Sequence, residues 1–129
     1  MTATNIDGPV LRLVLPWPPS ANRLWRHVGP RVLVSAEGRR YKRRVAEAVQ
    51  LARERGELGS PLEGAVSVRV QAYPPDRRRR DTDNVVKALM DALTHAGLWA
   101  DDYQVARLSV ERGVVRPGGE LLVDVRECG

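Results

Sequence analysis

The residue pattern predicts an α+β domain in which a mixed β-sheet carries helices packed on it. Three observations predict it. Four segments alternate apolar and polar residues at the period of a strand, two longer segments repeat apolar residues at the period of a helix, and the two kinds follow one another as β-α-β-α-β-β. At 129 residues the chain can build one core but not two, so residues 1–129 are expected to form a single domain.

The first strand is read over Val10 to Leu15, where Leu11, Leu13 and Leu15 share one side and Pro16 ends the run. The stretch PWPPSANRLWRHVGPR that follows holds four prolines and is expected to be a long loop rather than a regular helix. Its Trp17, Trp25, Arg23 and Arg26 suit stacking on unpaired bases; alternatively the two tryptophans anchor the loop on the core. From about Glu37 to Arg55, Tyr41, Val45, Ala48, Val49 and Ala52 recur at helical spacing behind a cluster of cations, Arg39, Arg40, Lys42, Arg43 and Arg44. Cations at a helix start oppose the macrodipole, which points either to an external anion such as phosphate or to a merely solvated face.

Val66, Val68, Val70 and Ala72 mark a second strand within Ala65 to Tyr73, and the run PPDRRRR leads from it to a second helix, Thr82 or Asp83 through Ala96, closed by Gly97. Ala106, Leu108 and Val110 alternate in a third strand, and Leu121, Val123 and Val125 in a fourth. Pro117-Gly118-Gly119 is expected to turn between them as a closing hairpin.

Hydrophobic residues at 43% and charged residues at 29% are a globular balance and exclude a disordered chain. Lys and Arg number 21 against 16 Asp and Glu, a net charge of +5, which suits a polyanionic partner or solubility alone. The single cysteine, Cys128, excludes an intrachain disulfide and a zinc site of several thiolates, and a reducing cytoplasm fits best. The start MTATNIDGPV lacks the pattern of a signal peptide, and no stretch approaches the ~20 apolar residues of a membrane span.

On a helical wheel the second helix places Val85, Val86, Leu89, Ala92, Leu93 and Ala96 on one side and Asp83, Lys87, Asp91 and Thr94 on the other. The charged stripe reads in its plainest form as a surface ion-pair ladder. Asp81 and Asp83 read plainly as an N-cap and a first-turn anion, and Asp101 and Asp102 as turn residues. Capping needs one carboxylate, however, and Asp81 and Asp83 offer two. If the third strand starts beside the second helix's first turn, Asp102 joins them. Directly after Arg77, Arg78, Arg79 and Arg80, such a cluster makes sense if the arginines hold DNA phosphates and the carboxylates hold Mg²⁺, which requires hard oxygen ligands. Lys87, one turn past Asp83, is placed to stabilise transition-state charge. The alternative for the arginines is a solvated charge run. His27 and His95 carry no metal-site pattern.

Three stretches carry a resemblance: LPWPPSANRLWRH at Leu15 to His27, VSAEGRRY at Val34 to Tyr41, and PDRRRRDTDNVVKALMDALTHAGLWADDYQV at Pro75 to Val105. In these the chain resembles the RusA family of Holliday junction resolvases, and the motif D-x-DN-x-x-K with W-x-DD-x-QV is specific. The resemblance implies metal-binding aspartates at Asp81, Asp83 and Asp102, a catalytic lysine at Lys87, a DNA-contacting Arg80, a positioning Asn84 and a supporting Asp101. It further implies Mg²⁺ as cofactor with Mn²⁺ as a substitute, four-way junction DNA as substrate, a symmetric homodimer making paired nicks, a preference near CC dinucleotides, and a role in DNA recombination and repair. Leu24 and Trp25 depart from it, standing where the family often carries other aromatics. Two further readings of the residues remain beside it: a non-catalytic protein that holds branched DNA, and a flap or general nuclease of the same fold.

Overall fold

The structure, a computed structural model, describes residues 10–128; the stretch in which no signal peptide is read lies almost wholly outside the described residues. Strand β1 (Leu11–Leu15) leads to a short helix α1 (Ala21–Leu24), strands β2 (Trp25–Val28) and β3 (Arg31–Val34), helix α2 (Ala36–Glu54) and strand β4 (Val66–Tyr73). Helix α3 (Thr82–His95), a 3-10 turn (Asp102–Gln104), and strands β5 (Val105–Arg112) and β6 (Glu120–Glu127) complete the chain. The fold is α+β with a mixed sheet, and α1, β2 and β3 stand between β1 and α2 where the expected order β-α-β-α-β-β has no element.

The sheet order is β1-β6-β4-β5. Strand β6 runs antiparallel to both its neighbours and β5 parallel to β4. Alternation buries Leu11, Leu13 and Leu15 of β1, Val66, Val68, Val70 and Ala72 of β4, and Leu121, Val123 and Val125 of β6. These form one core cluster with Tyr41, Val45, Val49 and Ala52 of α2 and Val85, Leu89, Ala92 and Leu93 of α3. The opposite sheet face carries the paired Val14 and Leu122 among polar residues, and Arg12 grips Asp124 there through bonds of 2.7 and 3.0 Å. That contact holds the Asp124 carboxyl below its ordinary pKa, chiefly through the hydrogen bond from Arg12.

Two expectations are corrected. The stretch after Pro16 is not one long loop: β2 and β3 pair as a hairpin, Trp25 with Val34 and Val28 with Arg31. Gly29, at φ 60, supplies the left-handed residue that a two-residue hairpin turn requires, and Trp25, Val28, Val32 and Val34 are strand formers. The prolines that rule out a long helix do not rule out this hairpin.

The expected hairpin of the last two strands does not form either. The connection crosses the end of β4, with Gly113 N donating to Ala72 O at 2.8 Å and Arg116 N to Pro74 O at 2.9 Å. Strand β6 therefore enters on the far side of β4. The Pro117-Gly118 turn is real, closed by Gly119 N to Arg116 O at 2.8 Å with Gly118 at φ 85, which is type II geometry. Strand β5 is left as an edge. Its register shifts where Val66–Ser67 face Val105 and Arg107, so Ala106 is the extra, unpaired residue of a bulge. Leu108 and Val110 pair with the inward Val68 and Val70, yet at the edge Leu108 stays 44% exposed.

Candidate active site

Helix α3 begins at a side-chain cap. Asp81 holds an extended backbone and its Oδ1 accepts from Asp83 N at 3.1 Å, while Asn84 N donates to Asp81 O at 3.2 Å. Capping uses one oxygen of Asp81, and the Asp83 carboxylate, one residue into the helix, is exposed. The helix ends in a Schellman motif, Gly97 N to Thr94 O at 3.0 Å and Leu98 N to Leu93 O at 3.2 Å, with Gly97 at φ 79. Burial follows the wheel: Val85, Leu89, Ala92 and Leu93 are inside, and Asp83 and Lys87 outside. No ion pair among the described residues joins Asp83, Lys87 and Asp91, which removes the ladder as an account of the stripe. Asp91 instead lines a small hollow with Leu24, Trp25 and Lys42.

A cleft of about 510 Å³ opens at the start of α3. The PWPPS loop and α1 form one wall and the arginine run the other. Arg23, Arg78, Arg79, Arg80, Asp81 and Asn84 all line it, together with Trp17 and Val85. Ser35 holds α1 in place: its hydroxyl donates to Arg23 O, its oxygen accepts from Gly38 N at 3.0 Å, and its N donates to Leu24 O at 2.8 Å. A side chain at Gly38 would meet Leu24 O at 2.7 Å, so the VSAEG segment needs glycine for close approach.

The arginine run is not uniform. Arg80 folds back on its own loop, 2.8 Å from Asp76 and 5.9 Å from the centroid of the Trp17 ring. Arg78 also meets Asp76, through its backbone N at 2.8 Å. The hydrogen bond from Arg80, then that from Arg78, hold the Asp76 carboxyl far below its ordinary pKa. Arg77 and Arg79 stand exposed. Arg26 lies on the β2–β3 hairpin and does not line the cleft. Trp17 packs against the core, as the anchoring alternative has it, whereas Trp25 is 40% exposed.

Asp101 and Asp102 occupy the other end of α3. Asp101 caps the 3-10 turn, its Oδ1 accepting from Tyr103 N at 2.9 Å, and Gln104 returns the contact to Asp101 N at 3.1 Å while its amide donates to Leu62 O at 2.8 Å. Asp102 accepts from the Thr94 hydroxyl, which itself accepts from the buried Trp99 Nε1 at 2.7 Å. Thr94 lies about three turns past Asp83, ~16 Å along the helix axis. One chain therefore does not gather Asp81, Asp83 and Asp102. Among the described residues no group of three or more acidic, His or Cys side chains is close enough to hold a metal. This corrects the expectation that β5 starts beside the first turn of α3, because β5 is reached only after the whole helix has been traversed. Asp81 and Asp83 do fit Mg²⁺ as donors, since that ion is commonly held by one or two carboxylates together with water and substrate phosphate. Thr94 and Asp76 are the site neighbours that sequence reasoning missed. Thr94 had a signal, lying on the polar stripe five residues before a tryptophan.

Arginines lining a cleft whose floor starts a helix with two carboxylates are the layout of a protein that seats a nucleic-acid phosphate beside acidic ligands. The chain belongs to the RusA family: the pattern of Endodeoxyribonuclease RusA matches residues 16–125. It is 45% identical over 117 residues to the crossover junction endodeoxyribonuclease RusA of Escherichia coli K12, covering 91% of this chain and 94% of that one. The crossover junction endodeoxyribonucleases of Shigella sonnei and of Enterobacteria phage 82 are each 44% identical over the same shares. No helix among the described residues is long and apolar enough to cross a membrane.

Proposed function

We propose that this chain is a Mg²⁺-dependent crossover junction endodeoxyribonuclease that resolves four-way DNA junctions by paired nicks, leaving 5′-phosphate ends. The observation that carries the reading is the cleft in which Asp81 and Asn84 face Arg23, Arg78 and Arg79, in a chain of a family named for endodeoxyribonuclease activity. The arginines bind and orient the phosphodiester backbone. Asn84 positions the strand, and Lys87, one turn beyond Asp83, offsets the charge that builds on the phosphate in the transition state. Asp81 and Asp83 would hold a divalent cation, which would polarise a phosphoryl oxygen and activate water.

The third carboxylate comes from a second copy of the chain. Ligand oxygens lie about 2.1 Å from Mg²⁺, so an Asp102 some ~16 Å along the axis cannot share an ion with Asp83 of the same chain. A two-fold homodimer brings Asp102 of each subunit to the helix start of the other and provides two sites for two symmetric nicks. Thr94 and Trp99 hold that carboxylate in a fixed orientation, and Asp101 supports it by capping the turn. The cytoplasm, where junction DNA is met, is the compartment we assign.

The reading predicts that Asp83→Asn keeps junction affinity in gel-shift titration while Mg²⁺-dependent nicking falls by more than about a hundredfold, the upper end for changes around a metal ligand. A variant that nicks labelled junctions at the parental rate ends the assignment.

A further inference from the structure

A second cavity lies behind the cleft, of about 280 Å³. Its apolar lining is Val85, Val115 and Trp17, and its charged lining includes Arg78, Arg80 and Arg112. Trp17, Arg78, Arg80 and Val85 line both spaces, so the two are separated only by shared side chains. The Trp17 wall is seated on glycine: a Cβ at Gly119 would stand 2.7 Å from Trp17 Cβ and 3.0 Å from its Cγ. Asp76, the carboxylate lining this cavity, is engaged by Arg80 and Arg78. The volume lies just under the ~300 Å³ lower end of ordinary small-ligand pockets, which suits one planar ring system.

We propose that this cavity takes a single unstacked nucleobase from the strand whose phosphate lies in the cleft, the base resting on Trp17 and the arginines of the lining holding the flanking phosphates. The inference rests on the reading of the cleft as the place where a strand is cut. An aromatic side chain among apolar neighbours recognises the face of any base, and cations in the same lining match the backbone on either side of it. A base inside a continuous duplex is stacked and paired and cannot enter without that cost, whereas a base at the crossover of a four-way junction has already lost part of it. The cavity thereby makes selection for branched DNA a property of one pocket beside the carboxylates.

The test uses the wild-type protein in EDTA, so that no junction is consumed. A four-way junction carries one 5-iododeoxyuridine, placed in turn at each crossover nucleotide and at positions along the arms. After irradiation the adduct is mapped by mass spectrometry. The expected result is an adduct on Trp17 from one crossover position, about fivefold above the arm positions, the ratio given by a stacking energy at the low end of its range. Even yield along the arms, an adduct on other residues, or none overturns the proposal. Val115→Trp fills the cavity while leaving every charged side chain of its lining in the sequence. It should lower the Trp17 adduct and the junction nicking rate about tenfold, with affinity for linear duplex unchanged. Equal yield and rate in that variant also overturn it. A wild-type protein that gives the Trp17 adduct but does not nick junctions in Mg²⁺ contradicts the nuclease reading instead, and one that nicks without the adduct contradicts only the cavity.

Discussion

At the scale of single residues, the four aspartates at the two ends of α3 divide by what their oxygens already do. Asp81 and Asp101 each spend one oxygen on a backbone N–H, of Asp83 and Tyr103 respectively. Asp83 is exposed, and Asp102 is tied to Thr94 alone among the described side chains. This division explains how neighbours in sequence, Asp101 and Asp102, have different parts: the first shapes the turn and the second is presented by it. The Asp81 and Asp83 pair was legible from spacing, because a helix start needs one capping carboxylate. The position of Asp102 was not, since a contact between residues in different elements depends on the path of the chain. Thr94→Val tests the presentation. It leaves Trp99 Nε1 unpaired in the core, which should lower stability by about 1–3 kcal/mol, and it releases Asp102. Nicking at saturating junction should fall while junction affinity holds. An unchanged saturated rate with the stability loss alone would mean that Thr94 serves only the core.

At the scale of elements, the decisive piece is the junction of α1, the β2–β3 hairpin and the start of α2. Ser35 caps α2 and at the same time fastens Arg23 and Leu24 through their carbonyls. The helices and the strands β1, β4 and β6 were legible because their periodicity is enforced by burial on one side. The hairpin was not, because its residues are mostly exposed and its strands are short. The last connection misled for a different reason: a Pro-Gly turn fixes a reversal of direction, not which strand the chain pairs with afterwards. Gly38→Ala belongs here. Its Cβ would meet Leu24 O at 2.7 Å and Val34 Cγ1 at 2.8 Å, so α1 must lift from α2. The variant should unfold at lower denaturant, with a loss of about 1–3 kcal/mol, and bind DNA more weakly because Arg23 leaves the cleft wall. A denaturant midpoint equal to the wild type would show that the contact yields without consequence.

At the scale of the whole molecule, the proposed carboxylate ligands stand at opposite ends of α3, Asp81 and Asp83 at its start and Asp102 beside Thr94 near its end. The helix keeps them ~16 Å apart, and the proposed metal site therefore requires Asp102 from a second copy. Tyr103, beside Asp102, is 92% exposed, and β5 that follows it is an open sheet edge, which leaves that end of the molecule accessible to a partner. The most direct measurement is complementation between two inactive variants, Asp81→Asn and Asp102→Asn, purified separately, mixed, allowed to exchange subunits, and assayed on a labelled four-way junction in Mg²⁺. In a mixed dimer one site carries both substitutions and the other carries neither. The account predicts that each variant alone leaves the junction intact and that the mixture nicks one strand; a mixture as inactive as its components would contradict it.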